Sequence, residues 1–135
     1  PGVLLENNNQ QFICKNVFLR ADNNASRINA TVPIGHALKI PIAHGEGRYY
    51  ADDATLKQLI ANNQVIFSYC DDHGNATDTA NPNGSMHNIA GVCNAGRNVF
   101  GMMPHPERAS EEILGNTDGR MIFESFLALT ATSAR

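Results

Sequence analysis

The chain has 135 residues, a formal charge of −3 at pH 7, and 42% apolar against 17% charged residues, a size that suits one domain or part of one. Near-balanced charge without a Lys/Arg-rich run excludes nucleic acid and anionic membranes as expected partners, and no stretch approaches ~18 consecutive apolar residues or opens with a basic-then-apolar leader, so the expectation is a cytoplasmic protein. Cys14, Cys70 and Cys93 are odd in number and lack Cys-x-x-Cys spacing, which argues against a disulfide framework and a structural zinc site; neither a metal nor a cofactor is expected.

In chain order, residues 1–10 have an apolar start and then Asn7-Asn8-Asn9, a turn-prone cluster that reads as the exit from something earlier, so the chain is expected to begin mid-domain. Residues 11–21 alternate and are rich in Phe, Ile, Val and Leu, which predicts a long strand. Residues 22–35 read as a loop punctuated by Asn23-Asn24, Ser26 and Pro33. Residues 37–43 then read as a buried strand feeding a loop, His44-Gly45-Glu46-Gly47. Glycines on both sides of a carboxylate let backbone N–H groups approach a ligand, and strand C-terminal ends are where open α/β sheets bind ligands. This loop is a candidate binding site; the plainer alternative is a glycine turn whose His44 bonds locally. Glu46 and Arg48 suit an interface or simple solvation equally.

Asp52-Asp53 ahead of residues 54–61 supplies capping oxygens and an acidic first turn for a short helix with Leu56, Leu59 and Ile60 on one face. Residues 64–70 predict a strand and residues 71–75 a turn, with His73 solvated and no second ligand at metal spacing. Asn81-Pro82-Asn83-Gly84-Ser85 is a tight turn on local chemistry. Residues 88–93 and 98–103 are apolar runs joined by Asn94-Ala95-Gly96-Arg97, the clearest hairpin in the chain. Ser110-Glu111-Glu112 begins a short helical piece ended by Gly115. Asp118 is placed to cap a last helix with an apolar face of Met121, Ile122, Phe126 and Leu129, followed by a frayed tail over residues 130–135. Strands and helices interleaved in this way predict an α/β fold: a mostly parallel sheet, helices on both faces and an antiparallel hairpin.

The second hairpin strand delivers Met102-Met103-Pro104-His105-Pro106-Glu107-Arg108, which places an imidazole and a carboxylate two residues apart. Pro106 fixes its own φ and pushes His105 out of the helical region, so the step is expected to be extended and stiff, with both side chains on one side. Such a pair is the base and orienter half of a nucleophilic site: the carboxylate fixes the tautomer and stabilises the imidazolium formed when the base takes a proton. No nucleophile is obvious. Cys14 and Cys93 lie in strand-like runs without the tight turn that activates a thiolate, so buried structural thiols are expected there. Cys70 ends a strand close to His73, but Asp71 and Asp72 would raise a thiol pKa by like-charge repulsion.

Pro104-His105-Pro106-Glu107 resembles the His-x-Glu end of the Cys-His-Glu triad in class I glutamine amidotransferases. Three separated motifs in order narrow the match: residues 41–49 (Pro41-Ile42-Ala43-His44-Gly45-Glu46-Gly47-Arg48-Tyr49), residues 80–85 and residues 101–109. Together they make the chain similar, nearly end to end, to the glutaminases of phosphoribosylformylglycinamidine synthase in purine biosynthesis. The resemblance implies the C-terminal half of that glutaminase fold, with residues 1–135 as a partial domain. It implies glutamine as substrate, hydrolysed to glutamate and ammonia, and an ATP-dependent synthetase, as subunit or fused domain, that receives the ammonia. It implies His105 as general base and acid, Glu107 as its orienter, and His44 and Gly45 beside the α-amino acid end of glutamine. The turn over residues 81–85 would shape the active-site rim or the surface facing the synthetase. The family's nucleophile sits in a Gly-x-Cys-x-Gly-type elbow that this sequence does not contain, so the expectation is that it precedes Pro1, in a missing N-terminal half, or is lost.

Two rival readings stand beside this one. In the first, the chain is a non-catalytic module that binds a synthetase or small ligand and His105-Pro106-Glu107 is a relic or a structural bridge. In the second, His105 and Glu107 serve a different hydrolase in which Cys70 or Ser85 attacks.

Overall fold

The computed structural model describes residues 1–132, with side chains through Ala128. Its strands are β1 (Val3–Glu6), β2 (Ile13–Ala21), β3 (Leu38–His44), β4 (Glu46–Tyr50), β5 (Val65–Cys70), β6 (Ile89–Cys93) and β7 (Phe100–Met102). The helices are α1 (Asp53–Ala61) and α2 (Arg120–Thr132), with 3-10 turns at Asp78–Ala80, Met86–Asn88, Pro106–Ala109 and Glu112–Leu114. A five-stranded sheet has the order β3-β2-β5-β6-β7, and β1 pairs with β4 in a separate two-stranded sheet.

Every strand pair among the described residues is antiparallel, and the one parallel contact is an isolated bridge between Ala21 and Ile34. The expected mostly parallel sheet is therefore corrected. A parallel neighbour needs a crossover that returns to the same sheet, whereas α1 joins β4 of the small sheet to β5 of the large one. Interleaved strands and helices in sequence cannot distinguish those two connections. The mixed α/β class and the β6–β7 hairpin stand as expected, with Gly91 opposite Met102 and Cys93 opposite Phe100.

Alternation explains which strand faces are buried. In β3 the side chains of Leu38, Ile40, Ile42 and His44 are buried while Lys39 faces out. In β2 the same period begins only at Val17, and the segment from Cys14 to Asn16 is exposed. Leu19, Leu38, Ile40, Ile42, Phe67 and Ile122 of α2 share the larger apolar cluster; full burial of one such side chain contributes roughly 1.5–3 kcal/mol. Leu56 and Leu59 of α1 pack with Tyr49, Ala51 and Ile89 in a second cluster.

The apolar start ahead of Asn7-Asn8-Asn9, given no element from sequence, forms β1, because β4 offers it a partner, Val3 opposite Tyr50 and Leu5 opposite Arg48. Asp52 caps α1 as expected, its carboxylate accepting from the Thr55 N–H at 2.9 Å and from the Thr55 hydroxyl at 2.9 Å. Ile60, expected on the buried face, is 51% exposed, since α1 rests along its Leu56–Leu59 line. Asp118 does not cap α2; its carboxylate accepts from the Lys39 N–H at 2.8 Å, while Asn116 Nδ2 donates to the Lys39 carbonyl. These side chains satisfy backbone groups on the edge strand β3, a position where unpaired groups would otherwise invite another strand. Phe126 is 44% exposed, whereas Ile122 and Ser125 are the buried side chains among those described in α2. Leu129 of the expected apolar face and residues 133–135 of the expected frayed tail lie outside what is described, and the helix itself runs through Thr132.

Candidate functional site

Chain leaving β7 at one edge of the sheet returns to β3 at the other, where the Pro106–Ala109 turn packs. Three bonds direct that return. Met103 N–H donates to the Ala90 carbonyl at 2.9 Å, the Tyr69 hydroxyl on β5 donates to the Met103 carbonyl at 2.9 Å, and Gly119 N–H donates to the Ala109 carbonyl at 2.8 Å. Tyr69 is fully buried, and burial raises its pKa so that the hydroxyl stays a donor.

His105 Nδ1 lies 2.9 Å from Glu107 Oε1, with the two side chains 50% and 58% exposed. The expected extended step is only half present. His105 is extended, at φ −88° and ψ 112°, but residues 106–109 wind into a 3-10 turn with Pro106 in its first positions. The Arg108 N–H closes that turn on the His105 carbonyl at 3.3 Å. The carboxylate meets the ring because the turn folds it back, and proline at the start of a helical turn is as well suited as in an extended segment. With Nδ1 engaged by Glu107, His105 has Nε2 left for a proton acceptor or donor in the half-open site.

His44 ends β3 and is 6% exposed. The expected loop of residues 44–47 shrinks to a bend at Gly45, since Glu46 already begins β4. The bend is clamped by Asn7: its N–H donates to the Gly45 carbonyl at 2.8 Å, its Nδ2 donates to the His44 carbonyl at 2.7 Å, and its Oδ1 lies 3.0 Å from His44 Nδ1. The pKa of His44 is lowered, first by burial and then by the charge of His105, whose following turn packs on β3, the strand that His44 ends. At Gly45 an added Cβ would have only Phe12 Cδ2 at 4.0 Å for company. At Gly47 a Cβ would stand 2.8 Å from His44 Cε1 and 2.8 Å from Met103 Cγ, so the bare backbone there is what lets the His44 and Met103 side chains both close in on it.

None of the cysteines has the surroundings of an activated thiolate. Burial pushes the Cys70 thiol up to about 11, with Arg20 opposing and Asp71 and Asp22 adding to the rise. Burial also raises Cys93. Cys14, expected to be buried, is exposed, because it lies in the part of β2 whose side chains are all exposed, before the alternation starts. Ser85 is 3% exposed, and its hydroxyl donates to the Ile89 carbonyl and accepts from the Tyr49 N–H. The proton a nucleophilic serine would give its base is therefore engaged elsewhere, which counts against the rival hydrolase. His73 is solvated, 81% exposed beside Asp72 at 3.6 Å. Among the described residues no group of three or more His, Cys, Asp or Glu could hold a metal ion, and no helix is long and apolar enough to cross a membrane.

The turn at residues 81–85 is built as its sequence dictates. Asn81 Oδ1 accepts from the N–H groups of Gly84 and Ser85, and Gly84 takes φ +82°, a region open to glycine. Its Asn83 carbonyl accepts from the Asn8 N–H at 2.9 Å, which docks the turn beside the Asn7 clamp. Arg48 Nε donates to the Glu6 carbonyl at 3.0 Å, and Glu46 is exposed. Asn7, Gly47 and Tyr69 are the residues that sequence reasoning missed. Each works through a partner far away in the chain, and the only local hint was the second glycine of Gly45-Glu46-Gly47.

Comparison with known proteins gives a consistent picture. Residues 2–123 match the model of the CobB/CobQ-like glutamine amidotransferase domain. The phosphoribosylformylglycinamidine synthase subunit PurQ of Methanocaldococcus jannaschii is 52% identical over 126 residues, which are 93% of this chain and 55% of that protein. PurQ of Aquifex aeolicus is 52% identical over 128 residues, 95% of this chain and 56% of the relative. The solved structure of PurLQS from Thermotoga maritima superposes with a TM-score of 0.77 at 41% identity, covering 96% of this chain and 53% of that one. The chain thus spans about half the length of the curated relatives it matches.

Proposed function

This chain belongs to the CobB/CobQ-like glutamine amidotransferase family, and from that premise we propose that it is the His-Glu part of the glutaminase of phosphoribosylformylglycinamidine synthase. Glutamine is the substrate, residues 1–135 form part of one amidotransferase domain, and the ammonia released feeds an ATP-dependent synthetase partner in the cytoplasm. The observation that carries the reading is the 2.9 Å contact of half-exposed His105 Nδ1 with Glu107 Oε1.

In the proposed reaction His105 Nε2 takes the proton of a thiol that attacks the glutamine amide carbon, and the Glu107 carboxylate stabilises the resulting imidazolium. The same proton then goes to the departing nitrogen as the tetrahedral intermediate collapses, releasing ammonia and leaving a thioester. Water, deprotonated by His105, attacks the thioester carbonyl; the C–S bond breaks to give glutamate, and the leaving thiolate recovers its proton from His105. Because burial holds Cys70 and Cys93 in the thiol form and Cys14 sits on an exposed strand face, we assign the nucleophile to a cysteine outside these 135 residues. His44 and the open side of Gly45 border the α-amino acid end of glutamine, and the turn over residues 81–85 forms part of the rim. The likeness to PurQ proteins and to PurLQS supports the substrate and the synthetase partner.

The test uses the complete enzyme. Glu107→Gln keeps the fold yet lowers glutamine-dependent synthesis, and His105→Ala lowers it further, by ~10²- to 10⁴-fold, the range of general-base transfer. Synthesis from added ammonia persists in both variants. Normal turnover of glutamine by both overturns the assignment and favours a non-catalytic module.

A further inference from the structure

Asn7 is the first of three consecutive asparagines, yet it is 1% exposed. Its Nδ2 donates to two carbonyls, His44 at 2.7 Å and Gln11 at 2.8 Å. Two acceptors on that atom identify it as the amide nitrogen, so the atom 3.0 Å from His44 Nδ1 is the carbonyl oxygen Oδ1. An amide oxygen only accepts. The His44 ring proton therefore sits on Nδ1, and Nε2, buried and without a hydrogen-bond partner, carries the lone pair.

We propose that Asn7 is a positioning residue of the glutaminase site, holding His44 as a neutral imidazole protonated on Nδ1 so that no second cation stands beside His105. The proposal rests on His105 being the base. When His105 takes a proton from the nucleophile it becomes a cation, and a second positive charge on the buried ring of His44 would oppose that step. Asparagine suits the task where aspartate would not: both accept from Nδ1–H, but an anion at 3.0 Å would favour the imidazolium. The neighbouring elements carry Glu6, Lys15, Glu46, Arg48, His105 and Glu107. Of these only His105 acts on His44, and it acts in the same direction as burial, toward the neutral ring.

The experiment compares Asn7→Leu with Asn7→Asp in the complete enzyme, reading both the ¹⁵N imidazole resonances of His44 and the pH profile of kcat/KM for glutamine. Wild type is expected to show His44 protonated on Nδ1. Asn7→Leu moves the proton to Nε2 and lowers kcat about equally at every pH. Asn7→Asp keeps Nδ1–H, charges His44 as the pH falls, and loses activity by a further ~10-fold relative to wild type between roughly pH 8 and pH 6, equivalent to ~1.4 kcal/mol of barrier. A wild-type His44 protonated on Nε2 overturns the proposal, as does a loss that is pH-independent in both variants and tracks their Tm. Should wild type fail to hydrolyse glutamine, the function proposed above fails, while the His44 spectra still decide what Asn7 does.

Discussion

Gly47→Ala is the most demanding test of the site's architecture. The added Cβ would lie 2.8 Å from His44 Cε1, 2.9 Å from His44 Nδ1 and 2.8 Å from Met103 Cγ, closer than carbon atoms approach without displacement. The imidazole is fixed and the Met103 backbone is anchored, so relief has to come from the Met103 side chain or from a shift of the strand. His44 is held by Asn7, and Met103 by its backbone bonds to Ala90 and Tyr69. Overpacking of this kind costs ~1–3 kcal/mol, a fall in Tm of roughly 3–15 °C for a chain of this size. Because Met103 lies two residues before His105, kcat for glutamine should fall as well. The control is Gly45→Val, whose Cβ enters open space with Phe12 Cδ2 at 4.0 Å. Gly45 also lies outside the left-handed φ region, so the variant should melt within a few degrees of wild type. Its expected effect is a higher KM for glutamine with ammonia-dependent synthesis unchanged. Thermal unfolding and steady-state kinetics of the two variants together decide. A Gly47→Ala protein that melts like wild type, or a Gly45→Val protein that loses more stability than Gly47→Ala, refutes the packing argument.

The lowered pKa of His44 makes acid stability testable. Above 6.5, its ordinary value, folded and unfolded chains both hold it neutral; below 6.5 the unfolded chain takes a proton that the buried ring resists, so stability declines as pH falls from there toward the folded value. Urea titrations of a His44→Gln variant should show a flatter dependence across that window, and parallel curves would contradict the linkage. For the thiols, a glutamine-mimicking electrophile should label none of the three cysteines specifically, whereas a small alkylating agent should modify exposed Cys14 in the native chain and reach Cys70 and Cys93 only in denaturant. Peptide mapping by mass spectrometry reads both outcomes, and specific adduct formation at Cys70 would revive the rival hydrolase.

Local chemistry alone determined a good deal of this protein. Asp52 caps α1 from its place in the sequence, the β6–β7 hairpin follows from two apolar runs around Asn94-Ala95-Gly96-Arg97, and Gly84 and Gly115 turn the chain where glycine permits φ near +80°. The pairing of His105 with Glu107 was also legible, because two residues of separation limit where a carboxylate can go, although the turn that joins them was not the one expected. Tertiary structure alone decided the rest. Whether a strand pairs parallel or antiparallel depends on which sheet the chain enters after a helix, and nothing in α1 records that it leads from the small sheet into the large one. Burial of Asn7, exposure of Cys14 and the crowding at Gly47 are set by residues distant in sequence. The approach of His105 to His44 is the clearest case: His44 ends β3 and His105 follows β7, at opposite edges of one sheet, and the turn after His105 reaches β3 only because the chain after β7 runs back across.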